Sequence, residues 1–333
     1  MRSYSMQDPE VIIIMGPTAV GKTSAAIRLA LELHTKIISA DSRQCFKELN
    51  IGVARPSPEE LQAVPHFFIA DHSIREDVTA ALFEALALRW TEAIFRDQHT
   101  AAIATASSVP TPVPDLPSPK AVMVGGTGLY IRAFTEGLDE MPPIDPALRL
   151  HIQQQYDLSG LAWLQDQVRE QDPAFYSSGE IHNPQRLMRA LEIKRSTGQS
   201  ILSFRTRGKK QRPFHIRKIG LHLPKEQLHQ HIHQRVDAMM EQGLLEEVRS
   251  LIPFKDYNAL QTVGYTELFD YLEGKSTLAE AVEKIKRNTR HYAKRQMTWF
   301  RKDPGIQWVD AAAFASDPLH YIANPSAPRA NNP

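Results

Sequence analysis

Residues 11–30 read VIIIMGPTAVGKTSAAIRLA. The opening apolar, mostly β-branched residues suit a buried strand, and the alanine-rich stretch after Lys22 suits a helix. Between them Gly16, Pro17, Thr18, Ala19, Val20, Gly21, Lys22 and Thr23 match the G-x-x-x-x-G-K-[ST] spacing of a phosphate loop. Glycines let such a loop curl until successive N–H groups face phosphate oxygens, and the helix N-terminus adds positive potential. Lys22 supplies a point charge, and Thr23 a hydroxyl for Mg2+. These eight residues are expected to hold a di- or triphosphate, which leaves the reaction open.

Outward from this stretch, VIIIM, KIISA, HFFIA, AVMVGG and IRKIGLHL read as strands, with helical periodicity between them. In residues 77–97, Val78, Leu82, Ala85, Leu86, Trp90 and Ile94 recur at helical spacing, with Asp77 as the expected N-cap. The expected fold class is therefore α/β, a P-loop NTPase-like parallel sheet with helices on both faces, plus a helical insertion domain. Residues 8–141 form the first part of the core and 142–215 the insertion. Residues 216–310 return to the core with its last strand and C-terminal helices, and 311–333, rich in Ala, Pro and Asn, form a flexible tail. Residues 100–120, rich in Pro, Ser and Thr, read as a loop.

Lys and Arg number 39 against 38 acids in 333 residues, a net charge of +1 that says nothing of a polyanionic partner. Distribution says more. Residues 194–218 hold nine basic residues, among them Arg195, Arg207 and Lys210, and no acid. Residues 284–302 hold eight, including Lys294 and Arg295, again without an acid. Two such blocks suit a nucleic-acid footprint, although solvated faces give the same pattern. One cysteine, Cys45, excludes an intrachain disulfide and a multi-cysteine zinc site. A polar start and the lack of a long apolar run point to a cytoplasmic protein with no membrane partner. His229, His231 and His233 put only two rings on one helix face, so a polar surface suits them better than a metal.

A phosphate-loop ATPase or GTPase usually adds an acid at the end of another apolar strand, yet AVMVGGTG ends in glycines and a threonine. The available carboxylate is Asp41 in IISADSRQ, after the second strand. Sheets of this kind bind ligands at the carboxyl ends of their strands, which places Asp41 beside the phosphates as a candidate general base.

With GPTAVGKT followed by DSRQ, GGTGLYIRAFTEGL, NPQRLMRALEI and AKRQMTWFR, residues 11–301 resemble the tRNA dimethylallyltransferase, or tRNA isopentenyltransferase, family. The resemblance implies that the loop holds the diphosphate of dimethylallyl diphosphate, and that the prenyl group passes to the exocyclic amine of the adenine 3′ to the anticodon. It implies a catalytic set of Asp41, Lys22, Thr23 and Arg235, with Mg2+ on Thr23. It also implies tRNA contacts from Asp41, Ser42, Arg43, Gln44, Thr127, Arg149, Gln185, Arg186, Leu187, Met188 and Arg189, to which the basic block adds Lys294 and Arg295. Leu187 and Met188 also suit the packing of their own helix. The implied partners are the tRNA anticodon stem-loop and dimethylallyl diphosphate, for an enzyme acting as a monomer. Where the family usually has valine and tyrosine after the glutamine of DSRQ, this chain has Cys45 and Phe46. The alternatives are an isopentenyltransferase acting on free adenine nucleotides and an ATP-dependent small-molecule kinase.

Overall fold

The computed structural model describes residues 8–106, 118–206 and 208–324. Six parallel strands form one sheet: β1 (Glu10–Met15), β2 (Ile37–Ser39), β3 (His66–Phe67), β4 (Lys120–Gly125), β5 (His215–His222) and β6 (Ile306–Asp310), in the order β3-β2-β4-β1-β5-β6. All of β1 is buried, because its side chains alternate between two cores. Val11, Ile13 and Met15 join Phe83, Phe134, Leu268 and Phe300 on one face. Ile12 and Ile14 join Leu29, Phe314 and Ile322 on the other. Both faces are covered, as an all-parallel sheet requires.

Among the described residues, four helices precede the insertion: α1 (Lys22–Glu32), α2 (Pro58–Ala63), α3 (Ala80–Ala106) and α4 (Gly128–Glu136). α3 begins later than the periodicity suggested. Thr79, not Asp77, caps it, its Oγ1 accepting from the Leu82 N–H at 3.1 Å. Its last residues take up part of the expected 100–120 loop, and 107–117 of that segment lie outside the described residues.

A second compact unit spans Glu136–Lys210, with α5 (Pro146–Gln171), α6 (Pro173–Tyr176), α7 (Pro184–Thr197) and α8 (Ile201–Phe204). Local signals delimit these helices. Asn183 caps α7 with Pro184 in its first turn, and Gly198 closes it at φ 74°. Gly160, at φ 73°, breaks α5. The unit has its own core of Ile152, Leu164, Val168, Phe175, Leu187 and Leu191. Its boundary differs from the expected 142–215. Arg212 is drawn into the sheet unit by bonds to the carbonyls of Phe134 (2.7 Å) and Ala133 (2.9 Å) and to Glu84 (2.7 Å).

The sheet unit resumes with α9 (Lys225–Glu241), α10 (Leu244–Ser250), α11 (Tyr265–Leu272), α12 (Leu278–Phe300), α13 (Ala311–Ser316) and α14 (Pro318–Ala323). Two expectations fail here. IQWVD forms a sixth strand, β6, pairing with β5 from Lys218↔Ile306 to His222↔Asp310. Residues 311–323 form α13 and α14 instead of a flexible tail, because Phe314 and Ile322 bury their side chains against α1. Residues 325–333 lie outside the described residues. Among the described residues no helix is long and apolar enough to cross a membrane.

Candidate active site

The phosphate loop joins β1 to α1 and turns on three positive-φ residues: Gly16 (147°), Ala19 (64°) and Gly21 (95°). Gly16 is sterically required, since a Cβ there would lie 2.5 Å from the Leu221 carbonyl oxygen. Ala19 holds a left-handed conformation that side chains rarely adopt, a strain commonly kept at binding sites. Lys22 Nζ donates to the Pro17 carbonyl at 2.7 Å. Gln296 of α12 ties the loop down from outside. Its Oε1 accepts from the Thr18 N–H at 2.8 Å, and its Nε2 donates to the Gly126 carbonyl at 3.0 Å.

Asp41 follows β2, which is not the neighbour of β1; β4 lies between them. The glycines that end β4 are what let the two loops meet. A Cβ on Gly125 would sit 2.2 Å from the Ala40 oxygen, and one on Gly126 would sit 2.2 Å from Gln296 Nε2. Asp41 Oδ1 accepts from the backbone N–H groups of Arg43 (2.9 Å) and Gln44 (3.2 Å). Its Oδ2 makes no hydrogen bond among the described residues. Thr127 Oγ1 accepts from the Ser42 N–H at 3.0 Å, fastening the Asp41 turn to the end of β4. Gln44 is spent internally: its Oε1 accepts from Ser39, and its Nε2 donates to the carbonyls of Val53 and Ala54. Cys45 and Phe46 point into the core, where burial pushes the thiol up to about 12 and leaves it inert.

Two adjoining cavities share this ground. One, of about 450 Å³, is lined by Lys22, Thr23 and Asp41; the other, of about 620 Å³, by Asp41, Arg43, Asn288 and Arg295. Thr18, Val53, Ala54, Arg235, Met239 and Tyr292 line both. Arg235 reaches in from α9, with Nη1 donating to Thr18 Oγ1 at 3.4 Å. Burial, and then the charge of Arg235, pull Lys22 down to about 7, against the opposing pull of Asp41. Burial likewise lowers Arg235. Two desolvated basic groups that each disfavour the other's charge gain from a negative charge between them, which suits an anion. Tyr292 is raised by burial and by Asp41, so its phenol stays protonated.

The insertion groups the other expected residues. Gln185 and Arg186 are exposed on α7, and Arg186 pairs with Glu180 at 2.6 Å. Arg189 and Arg149 share the buried carboxylate of Glu192, at 3.1 and 3.6 Å. Leu187 and Met188 must be removed from the set that touches RNA: they are 0% and 4% exposed, packed in the insertion core. On α12, Lys294 and Arg295 are exposed, with the Arg295 guanidinium over the Tyr292 ring at 5.8 Å. The acid-free blocks are not acid-free in space. Lys284 meets Asp270, Lys286 meets Asp237, Arg217 meets Glu10 and Lys218 meets Asp303. Arg207 lies outside the described residues.

The site residues that sequence reasoning missed are Gln296, Tyr292 and the wall around Val53. Tyr292 and Gln296 stand four apart on one face of α12, Gln296 inside the AKRQ motif and Tyr292 immediately before it, so helical period was a usable signal for them.

A phosphate loop on the central strand of a parallel sheet, with a carboxylate turn across a glycine-ended neighbour, defines a P-loop α/β enzyme that handles a phosphorylated substrate. Family models narrow this. "IPP transferase" matches residues 118–303 and "Isopentenyl transferase" matches 9–94. The chain is similar to the tRNA dimethylallyltransferase of Christiangramia forsetii, 44% identical over 312 residues, covering 94% of this chain and 97% of that one. It is also similar to that of Cytophaga hutchinsonii, 41% identical over 298 residues, covering 90% of this chain and 91% of the relative. The crystal structure of a tRNA isopentenylpyrophosphate transferase from Bacillus halodurans superposes with a TM-score of 0.65 at 31% identity, covering 95% of this chain and 96% of that one. The chain belongs to the tRNA dimethylallyltransferase family, a family of prenyltransferases.

Proposed function

We propose that this chain moves the dimethylallyl group of dimethylallyl diphosphate to the exocyclic amine of the adenine 3′ to the anticodon in tRNA. The observation that carries the reading is that two desolvated basic groups, Lys22 and Arg235, line one cavity with Asp41, whose Oδ2 makes no hydrogen bond among the described residues. The bond from C1 of the allyl group to diphosphate oxygen breaks, and its electron pair leaves with the diphosphate. The amine nitrogen bonds to C1 and gives its proton to Asp41. Lys22, Arg235 and the loop amides stabilise the departing charge, which is where a fixed electrostatic site contributes most. Asp41 compensates for an amine whose lone pair is delocalised into the ring.

Thr23 suits Mg2+, since its hydroxyl makes no hydrogen bond among the described residues and shares its cavity with the Asp41 carboxylate, both hard oxygen donors. Bound there, the ion would neutralise charge on the diphosphate. The adenine must leave its stack to be reached, which costs about a few kcal/mol and calls for compensating contacts. Arg43, Asn288 and Arg295 line the cavity on that side of Asp41, and Arg149, Gln185, Arg186 and Arg189 give the insertion a polar and basic group for the anticodon stem-loop. Incubation with labelled dimethylallyl diphosphate and unmodified bulk tRNA, followed by nucleoside analysis, tests the reading. Label must appear in a prenylated adenosine; none in any nucleoside would reject it.

A further inference from the structure

Residues 50–55 are held more firmly than a surface turn needs. Glu247, on α10, takes three consecutive backbone N–H groups: those of Asn50 (3.2 Å) and Ile51 (2.7 Å) on Oε2, and that of Gly52 (3.1 Å) on Oε1. The Tyr265 hydroxyl donates to the same Oε1 at 2.6 Å. Burial and the neighbouring carboxylate keep that phenol protonated, hence a donor. Gly52 lies against the Tyr265 ring so closely that a Cβ would fall 2.5 Å from it. Downstream, Gln44 Nε2 holds the carbonyls of Val53 (3.2 Å) and Ala54 (2.9 Å), and Arg55 Nη2 reaches back to those of Phe46 (2.8 Å), Lys47 (3.0 Å) and Leu49. Ala54 is kept at φ 48°, a conformation that persists only when its surroundings over-determine it.

What this scaffold presents to the site is apolar. Val53 and Ala54, with Met239 of α9, line both cavities, the one holding Lys22 and Thr23 and the one holding Asn288 and Arg295. A donor whose diphosphate sits at Lys22 and whose C1 meets an amine beside Asp41 must lay its hydrocarbon against this wall.

We propose that Glu247 is a positioning residue whose grip on residues 50–52 sets how far the Val53–Ala54 wall stands from the transferred chain, restricting the donor to a five-carbon allylic diphosphate. The inference rests on the prenyl-transfer reading above. No chemistry passes through Glu247. It accepts hydrogen bonds from four donors, which only a carboxylate can do with all its partners intact.

The test compares kcat/KM for dimethylallyl diphosphate and for the ten-carbon geranyl diphosphate, with tRNA as acceptor, in the wild type, Glu247→Gln and Tyr265→Phe. A loosened wall should lower the five-carbon to ten-carbon preference about tenfold in Glu247→Gln, the scale at which an apolar pocket discriminates small changes in chain length. Inhibition by inorganic pyrophosphate should not change. Simple loss of folded enzyme lowers both donors alike and leaves the ratio where it was. Tyr265→Phe keeps the ring on Gly52 and removes one hydrogen bond, so it decides the matter if Glu247→Gln does not fold. An unchanged ratio in the folded variants overturns the role of Glu247 alone. A wild type that transfers neither chain to tRNA overturns the prenyl-transfer reading, and this inference with it.

Discussion

Gln296 accepts a hydrogen bond at 2.8 Å from the backbone N–H of Thr18, 278 residues earlier in the chain. With its other end on the Gly126 carbonyl, the side chain holds the phosphate loop in register with the end of β4. Gln296→Leu keeps the volume and leaves both backbone groups unpaired, so stability should fall by about 1–3 kcal/mol. Inhibition by pyrophosphate should weaken as well. Urea denaturation and an inhibition series check the two effects; a variant as stable and as easily inhibited as the wild type would remove Gln296 from the account.

Lys22 gives a pH prediction. Its pKa falls from an ordinary 10.5 to about 7 in the folded protein. Well above 10.5 the amine is neutral in both folded and unfolded chains and costs nothing; below about 7 it is charged in both and the full penalty applies. Its contribution to stability therefore rises with pH across that window, because the unfolded chain binds the extra proton. A diphosphate reverses the preference, so pyrophosphate binding at pH 8.5 should take up a proton. Calorimetry in buffers of differing ionisation enthalpy measures the uptake, and Lys22→Met should abolish it.

Asp41→Asn is expected to lower kcat by about 10²- to 10⁴-fold. The amide keeps an oxygen for the Arg43 and Gln44 N–H groups, so the turn should survive and tRNA affinity should stay within a few-fold. Single-turnover rates and filter binding separate the two. Turnover above a tenth of wild type would exclude a general-base role.

Glu192 carries both Arg149 and Arg189, so losing one arginine does not strand the buried carboxylate. Arg189→Ala should therefore fold normally and raise the KM for tRNA while leaving that for the prenyl donor alone. Steady-state titration of each substrate measures this. Equal changes in both KM values would point to a general folding defect.

Legibility followed distance along the chain. The phosphate loop and the placement of Asp41 after the second strand are local patterns, and they were readable. IQWVD was not: a short edge strand has no period to reveal it, and pairing with β5 decides its state. Residues 311–323 have a tail-like composition, yet Phe314 and Ile322 find an apolar surface on α1 that no local signal announces. Leu187 and Met188 stand next to the exposed Gln185 and Arg186 on α7, and the packing of that helix in the insertion core turns them inward. Gln296 with Thr18 and Glu247 with residues 50–52 are side chain to backbone bonds across most of the chain, which a sequence does not display.

On this reading one site transfers a prenyl group to an extruded tRNA adenine and does not hydrolyse a nucleotide. The most direct measurement gives the wild-type protein labelled dimethylallyl diphosphate with a short RNA hairpin carrying the anticodon stem and loop, with AMP, or with ATP and tRNA. Label is expected on the adenine 3′ to the anticodon of the hairpin with stoichiometric release of diphosphate, no product from AMP, and no tRNA-stimulated phosphate release from ATP. Prenylation of AMP as efficient as that of the hairpin, or ATP turnover at the rate of tRNA modification, would contradict it.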